Sequence, residues 1–184
     1  MAHRLVAPIV GTVAAALIAG ALPCAAQAQS VTVTAPGFSA GLELRTEARA
    51  VDVGLPWYPG AVVQRDDAKD EGAVQLGLWG GLFGFKLAVL KLASSDSLEA
   101  VSAFYRTALA RHGKVLDCSE GSAARREPPA PDSKALRCDD ALNGGTPAQR
   151  VYKVGSRNQF RLVALQPVAG GVHVQLLRIV ASAE

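Results

Sequence analysis

The clearest periodicity in the chain lies between residues 96 and 113. Apolar side chains recur at Leu98, Val101, Phe104, Tyr105, Ala108 and Leu109, while Glu99, Ser102, Arg106, Ala110 and Arg111 fall on the other side. Spacings of three and four predict an amphipathic helix from about Ser97 to His112. Asp96 stands three residues before Glu99 and is expected to cap the helix start, and Gly113 to end it in a left-handed conformation. Upstream the period changes to two. Val74, Leu76 and Leu78 alternate with Gln75 and Gly77, and Phe85, Leu87, Val89 and Leu90 follow a glycine-rich run at Gly80, Gly81 and Gly84. That pattern predicts an antiparallel hairpin.

Beyond the helix, short β-rich runs at 115–118, 135–138, 151–154, 159–165 and 172–180 are separated by turn residues, and all fit one antiparallel sheet. Pro167, Gly170 and Gly171 suit a hairpin between the last two. In the run 159–165 both alternating sets are mostly apolar, as expected of a strand buried on both faces. Before the first hairpin, Leu55-Pro56-Trp57-Tyr58-Pro59-Gly60 predicts a turn, because each proline holds its predecessor extended. Leu42, Leu44, Ala48, Ala50 and Val53 suggest short extended segments. Residues 29–41, small, polar and rich in Pro and Gly, read as a flexible tether. The expected architecture is therefore α+β: a single domain over 42–184 with one main amphipathic helix packed on a single antiparallel sheet. Strands, helix, then strands is the wrong order for a doubly wound parallel sheet.

The first 28 residues differ from the rest. After His3 and Arg4 the chain is uncharged from Leu5 to Gln27, Pro23 breaks the apolar run, and Ala26-Gln27-Ala28 offers small residues where a signal peptidase reads. A leader over 1–28 is expected, removed by cleavage after Ala28, and the protein is placed in the periplasm or outside the cell. A retained anchor, or lipidation at Cys24, are the competing readings, although Pro23 departs from the small residue that a lipidation site requires. Without the leader, 18 basic residues face 16 acidic ones, too even a balance for a dedicated polyanion binder. No later apolar run approaches the roughly 18 residues needed to span a bilayer. Two cysteines remain, Cys118 and Cys138, and an oxidising compartment predicts that they form a disulfide around a proline-rich segment.

Four segments together carry a resemblance: Leu55-Pro56-Trp57-Tyr58-Pro59-Gly60-Ala61, Leu76 to Gly81 with Phe83 to Lys86, Asp96 with Phe104-Tyr105-Arg106, and Lys114-Val115-Leu116-Asp117-Cys118. As a set they resemble a family of uncharacterised exported bacterial proteins with a domain of unknown function. The resemblance covers most of residues 50–184, implies an exported domain and supplies no catalytic residues.

Candidate chemistry is sparse. Beyond the leader the histidines are His112, expected to complement the helix C-terminus, and His173, expected on a solvent-facing strand position. The sequence contains no G-x-S-x-G, H-E-x-x-H or paired CxxC motif, which counts against common proteases, esterases and zinc enzymes. Asp66, Asp67 and Asp70 form one acidic cluster and Asp139 and Asp140 another; either offers hard oxygens to a metal such as Ca²⁺, but neither has calcium-loop spacing, and Arg65 and Lys69 sit inside the first. The glycines at 77–84 open a strand rather than a helix, unlike a phosphate loop. Trp57, Tyr58 and Trp79 are the candidate ligand-binding aromatics, a patch for a sugar, peptide or lipid if exposed; with only 5% aromatic residues, burial in the core is the stronger expectation. The same scarcity counts against nucleic-acid stacking. No motif implies a cofactor, and the sequence names no partner. The expected function is a non-catalytic binding or structural module of the cell envelope, the alternative a metal-dependent or small-ligand binder or enzyme using the acidic loops.

Overall fold

A computed structural model describes residues 29–35, 38–45, 49–66, 70, 72–81, 83–130, 133, 135–138 and 150–183. The expected leader, together with Asp67, Asp139 and Asp140, lies outside the described residues. The described residues form one open antiparallel sheet of nine strands with three helices: β1 (Gln29–Ala35), β2 (Phe38–Arg45), α1 (Ala50–Val53), β3 (Val62–Val63), β4 (Ala73–Gly80), β5 (Phe83–Ser94), α2 (Leu98–Ala110), β6 (Leu116–Asp117), α3 (Ala123–Arg126), β7 (Arg150–Ser156), β8 (Gln159–Val168) and β9 (Gly171–Ala183). Side by side the strands run β1-β2-β4-β5-β9-β8-β7-β6, and β3 pairs with the far end of β5. The fold is dominated by its sheet.

The two expected hairpins form, β4 with β5 and β8 with β9, in registers that put Leu78 opposite Phe85 and Leu165 opposite Val174. Three segments depart from expectation. Of residues 29–41, read as a tether, 29–35 and 38–41 are strand, and β2 pairs with β4 from Ala40 to Arg45. The β-branched alternation of Val31, Thr32 and Val33 outweighs the turn-forming residues nearby once a partner strand is present. Residues 50–53, expected to be extended, coil into α1 and stop at Gly54, whose φ of 66° is the left-handed conformation glycine takes without strain. The run 135–138 forms no strand; it crosses the sheet surface instead.

Helix α2 begins one residue later than Asp96 would have set. Ser97 is the cap, its side chain accepting from the Ala100 N–H, while the Asp96 carboxylate accepts a 2.6 Å hydrogen bond from the Tyr58 hydroxyl. The Leu55–Gly60 turn is thereby pinned to the helix start, reinforced by an edge-to-face contact between Tyr58 and Phe104 with ring centroids 5.0 Å apart. The helix also ends early, at Ala110 with Arg111 as a right-handed cap; Gly113 has φ 133°, outside the left-handed helical well, and His112 lies past the last turn.

Because side chains alternate across a strand, the registers sort the core into two layers. On one face α2 packs on β7, β8 and β9, burying Val101, Tyr105 and Leu109 against Tyr152, Val163, Leu165, Val174 and Leu176. Ser102 Oγ and Tyr152 Oη, 2.7 Å apart, satisfy each other inside this layer. On the other face Leu136 covers Phe160, Leu162, Ala164, Leu177 and Ile179. β8 is therefore buried on both sides, as its apolar run predicted. Cys118 and Cys138 lie at disulfide distance, with Cα atoms 5.2 Å apart, and tie the covering segment to the end of β6. Lys153 is fully buried beneath it, its Nζ donating to the Arg137 carbonyl at 3.1 Å. Among the described residues no helix is long and apolar enough to cross a membrane.

Candidate functional site

On the helix-bearing face the sheet extends past the reach of α2, and there a cleft of about 810 Å³ opens between α1 and strands β2, β4, β5 and β9. The side chains that reach it come from sheet positions of one parity: Glu43 and Arg45 on β2, Gln75 and Trp79 on β4, Lys86 on β5, and Arg178, Val180 and Ser182 on β9, with Val51 and Asp52 of α1 on the rim.

Trp79 forms the floor at one end. Its register partner is Gly41, and a Cβ built there would lie 2.2 Å from the indole Cζ2 and 2.8 Å from Nε1. A Cβ on Gly77 would lie 3.6 Å from the same ring. The indole therefore lies across two glycines, a close approach that no larger residue at 41 permits.

The carboxylates of the cleft are already engaged. Glu43 accepts from Arg45 Nε at 2.6 Å, and Asp52 is held by the Arg49 backbone N–H at 2.8 Å and by its side chain. Lys86 and Arg178 have no such partner among the described residues. They are diagonal neighbours, since Lys86 pairs with Val180 and Ala88 with Arg178. Directly opposite Arg178 on β8 stands Arg161, and like charges facing each other across a strand pair destabilise it. The Nε atoms of both arginines are buried without a hydrogen-bond partner. Burial, and then the neighbouring Arg178, lowers the pKa of the Arg161 guanidinium from its usual value. Arg161 lies against the C-terminal cap of α1, where a Cβ on Gly54 would meet its Nη2 at 2.9 Å. His112 adjoins the same group: burial and then Arg161 lower its pKa, against a backbone hydrogen bond to Gly54 that raises it. A band of basic groups thus crosses the sheet from Lys86 through Arg178 and Arg161 to His112.

The aromatics expected to act together do not. Tyr58 is core, 7% exposed, whereas Trp57 and Trp79 are 37% and 39% exposed, a correction to the expectation that both tryptophans would be buried. Trp57 donates from Nε1 to the Ala61 carbonyl at 2.8 Å and does not line the cleft; Trp79 does. An indole needs a polar partner or water for its N–H, which keeps a tryptophan at the margin of an apolar core. Asp66 and Asp70 come together, but around an ammonium group: both accept from Lys91 Nζ, and Asp70 also accepts from the backbone N–H groups of Asp66 and Gly72. The hydrogen bond from Lys91, with those two, holds the Asp70 carboxyl well below the usual carboxylate range. Burial alone would lower the Lys91 pKa; its bonds to Asp66 and Asp70 outweigh that and leave it raised. The Lys91 ammonium thus occupies the space between these two carboxylates.

No protein-family model matches the chain, and no curated protein or solved structure does.

Sequence reasoning missed Lys86, Arg161, Arg178 and Gly41. One signal was present: Arg178 interrupts the apolar run Leu176, Leu177, Ile179, Val180, and a charge inside such a run needs a reason to be there.

Proposed function

We propose that this chain is an exported, non-catalytic binding module of the cell envelope, an α+β unit with α2 as its main helix, whose ligand lodges in the cleft between α1 and β2, β4, β5 and β9. One observation carries the reading: Arg178 lines a sizeable concave site while facing Arg161, and neither guanidinium is engaged by a carboxylate among the described residues. Binding sites commonly retain such an arrangement at the expense of stability, because the ligand supplies the missing partner. The exposed Trp79 adds a flat apolar surface beside those charges. Export rests on the leader-like residues 1–28 and agrees with the Cys118–Cys138 pair. The alternative, a metal-dependent binder or enzyme using the acidic loops, has less support, since Asp66 and Asp70 are already bonded to Lys91.

A neutral fluorescent probe, N-phenyl-1-naphthylamine, tests the cleft without presupposing the ligand's charge. The expected result is saturable binding that Ser182→Trp, a bulky ring in the cleft wall, abolishes without lowering the melting temperature. Binding that is absent, or that Ser182→Trp leaves untouched, counts against the reading.

A further inference from the structure

Resting on that reading and going one step past it, we infer that the cleft takes a phosphate monoester joined to a flat apolar body, with the phosphate on Lys86 and Arg178 and the body against Trp79. The charge arrangement selects the headgroup. Lys86 and Arg178 are adjacent across the β5–β9 pair and uncompensated among the described residues, and Arg161 stands directly behind Arg178. Two positive charges lining one site, with a third on the adjoining strand, are better answered by a phosphate dianion than by a single carboxylate. A guanidinium offers a planar fork of donors that matches phosphate oxygens, and a neighbouring ammonium adds a point charge.

The body is selected by the other end of the cleft. Trp79 lies across Gly41 and Gly77 with its ring held against the sheet, so its remaining face is a fixed platform rather than a mobile side chain. Val180 and Val51 add aliphatic contact on the lining. Platform and charges belong to sheet positions of the same parity, Trp79 pairing with Gly84 only two residues along β5 from Lys86, so one small molecule reaches both.

The test uses the full domain with its disulfide intact and three probes: phenyl phosphate, inorganic phosphate and phenol, titrated by calorimetry at low ionic strength. Phenyl phosphate is expected to bind about tenfold more tightly than either inorganic phosphate or phenol, as joining charge to body requires. Arg178→Gln is expected to weaken both phosphate probes by about tenfold. Lys86→Gln, a change on the exposed sheet surface, is expected to weaken them about threefold without altering the melting temperature. Trp79→Leu is expected to abolish the advantage of phenyl phosphate and leave inorganic phosphate unchanged. Since Arg178→Gln relieves a like-charge pair, its melting temperature should not fall, which separates lost binding from lost structure.

The inference is overturned if neither phosphate probe binds, if phenol binds as well as phenyl phosphate, or if Arg178→Gln and Lys86→Gln leave affinity intact. If those results appear while N-phenyl-1-naphthylamine still binds in a manner blocked by Ser182→Trp, the binding module stands and only the phosphate is lost. If the neutral probe fails as well, both readings fall together.

Discussion

The two ends of the sheet are built from the same alternation of side chains and finish in different states. Around β7, β8 and β9 both faces are covered, by α2 on one side and by the segment carrying Leu136 on the other. Around β2 and β4 one face forms the wall of the cleft, and the opposite face of β1, β2 and β4 leaves Val31, Val33, Leu42, Leu44, Val74 and Leu78 all exposed, from 36% at Leu78 to 62% at Val31. Simple dimensions account for the difference. Eight strands side by side span about 34 Å, whereas a helix with its side chains is only about 10–12 Å across. One such helix packs on β7, β8 and β9 and leaves open the ground on which the cleft is built. Alternation shows which residues share a face; what covers that face depends on the few elements available to do it.

The strongest way to break the contrast is to make one truncation in each half. Leu176→Ala, in the fully buried layer under α2, is expected to lose about 2–5 kcal/mol in urea unfolding. Leu78→Ala, on the open face, should stay within about 0.5 kcal/mol of the parent. Equal losses would mean that the open face is covered in solution. Next in size is the covering segment: replacing Cys118 and Cys138 with Ser should lower stability by about 3 kcal/mol for a loop of this length. A melt superimposable on the parent would show that Leu136 holds the segment unaided. Within the open half, Gly41→Ala must displace the Trp79 ring, with an expected loss of about 1 kcal/mol and a shift in tryptophan emission. Unchanged emission would contradict the indole's position over the glycine.

The smallest expected effect is one of pH. Asp70 has a lower pKa folded than unfolded, so its contribution is complete above the ordinary value of 3.8 and drains away as the pH falls through the folded value. Asp70→Asn should lower the melting temperature slightly near neutrality and flatten its decline below pH 3.8. An identical decline in parent and variant would assign the acid sensitivity elsewhere.

Much of the covered half is legible in the sequence. The spacing from Leu98 to Leu109 marks α2, the two-sided apolar run marks β8, and compartment logic couples Cys118 to Cys138. The open half is harder to read for definite reasons. α1 is a single turn, too short to display a period. In β1 and β2 the turn signals of Pro36, Gly37 and Gly41 mask a strand pattern, and Gly41 proves to be the space that Trp79 fills. The juxtaposition of Arg161 with Arg178 depends on the register between two strands, which no local window contains. Asp96, expected to cap α2, bonds instead to Tyr58, 38 residues away, and only the packed molecule brings the two together.

The place of β9 has a further consequence. It is last of the nine strands in chain order, yet it lies between β5 and β8 in the middle of the sheet, and it pairs with β5 along its length from Phe83 opposite Ala183 to Ser94 opposite Val172. Assembly therefore waits for β9: the early hairpins can close alone, but they cannot join the later ones until that strand inserts. Such distant pairing predicts slow acquisition of the native state, on the order of milliseconds to seconds, and makes loss of β9 far more damaging than loss of β1.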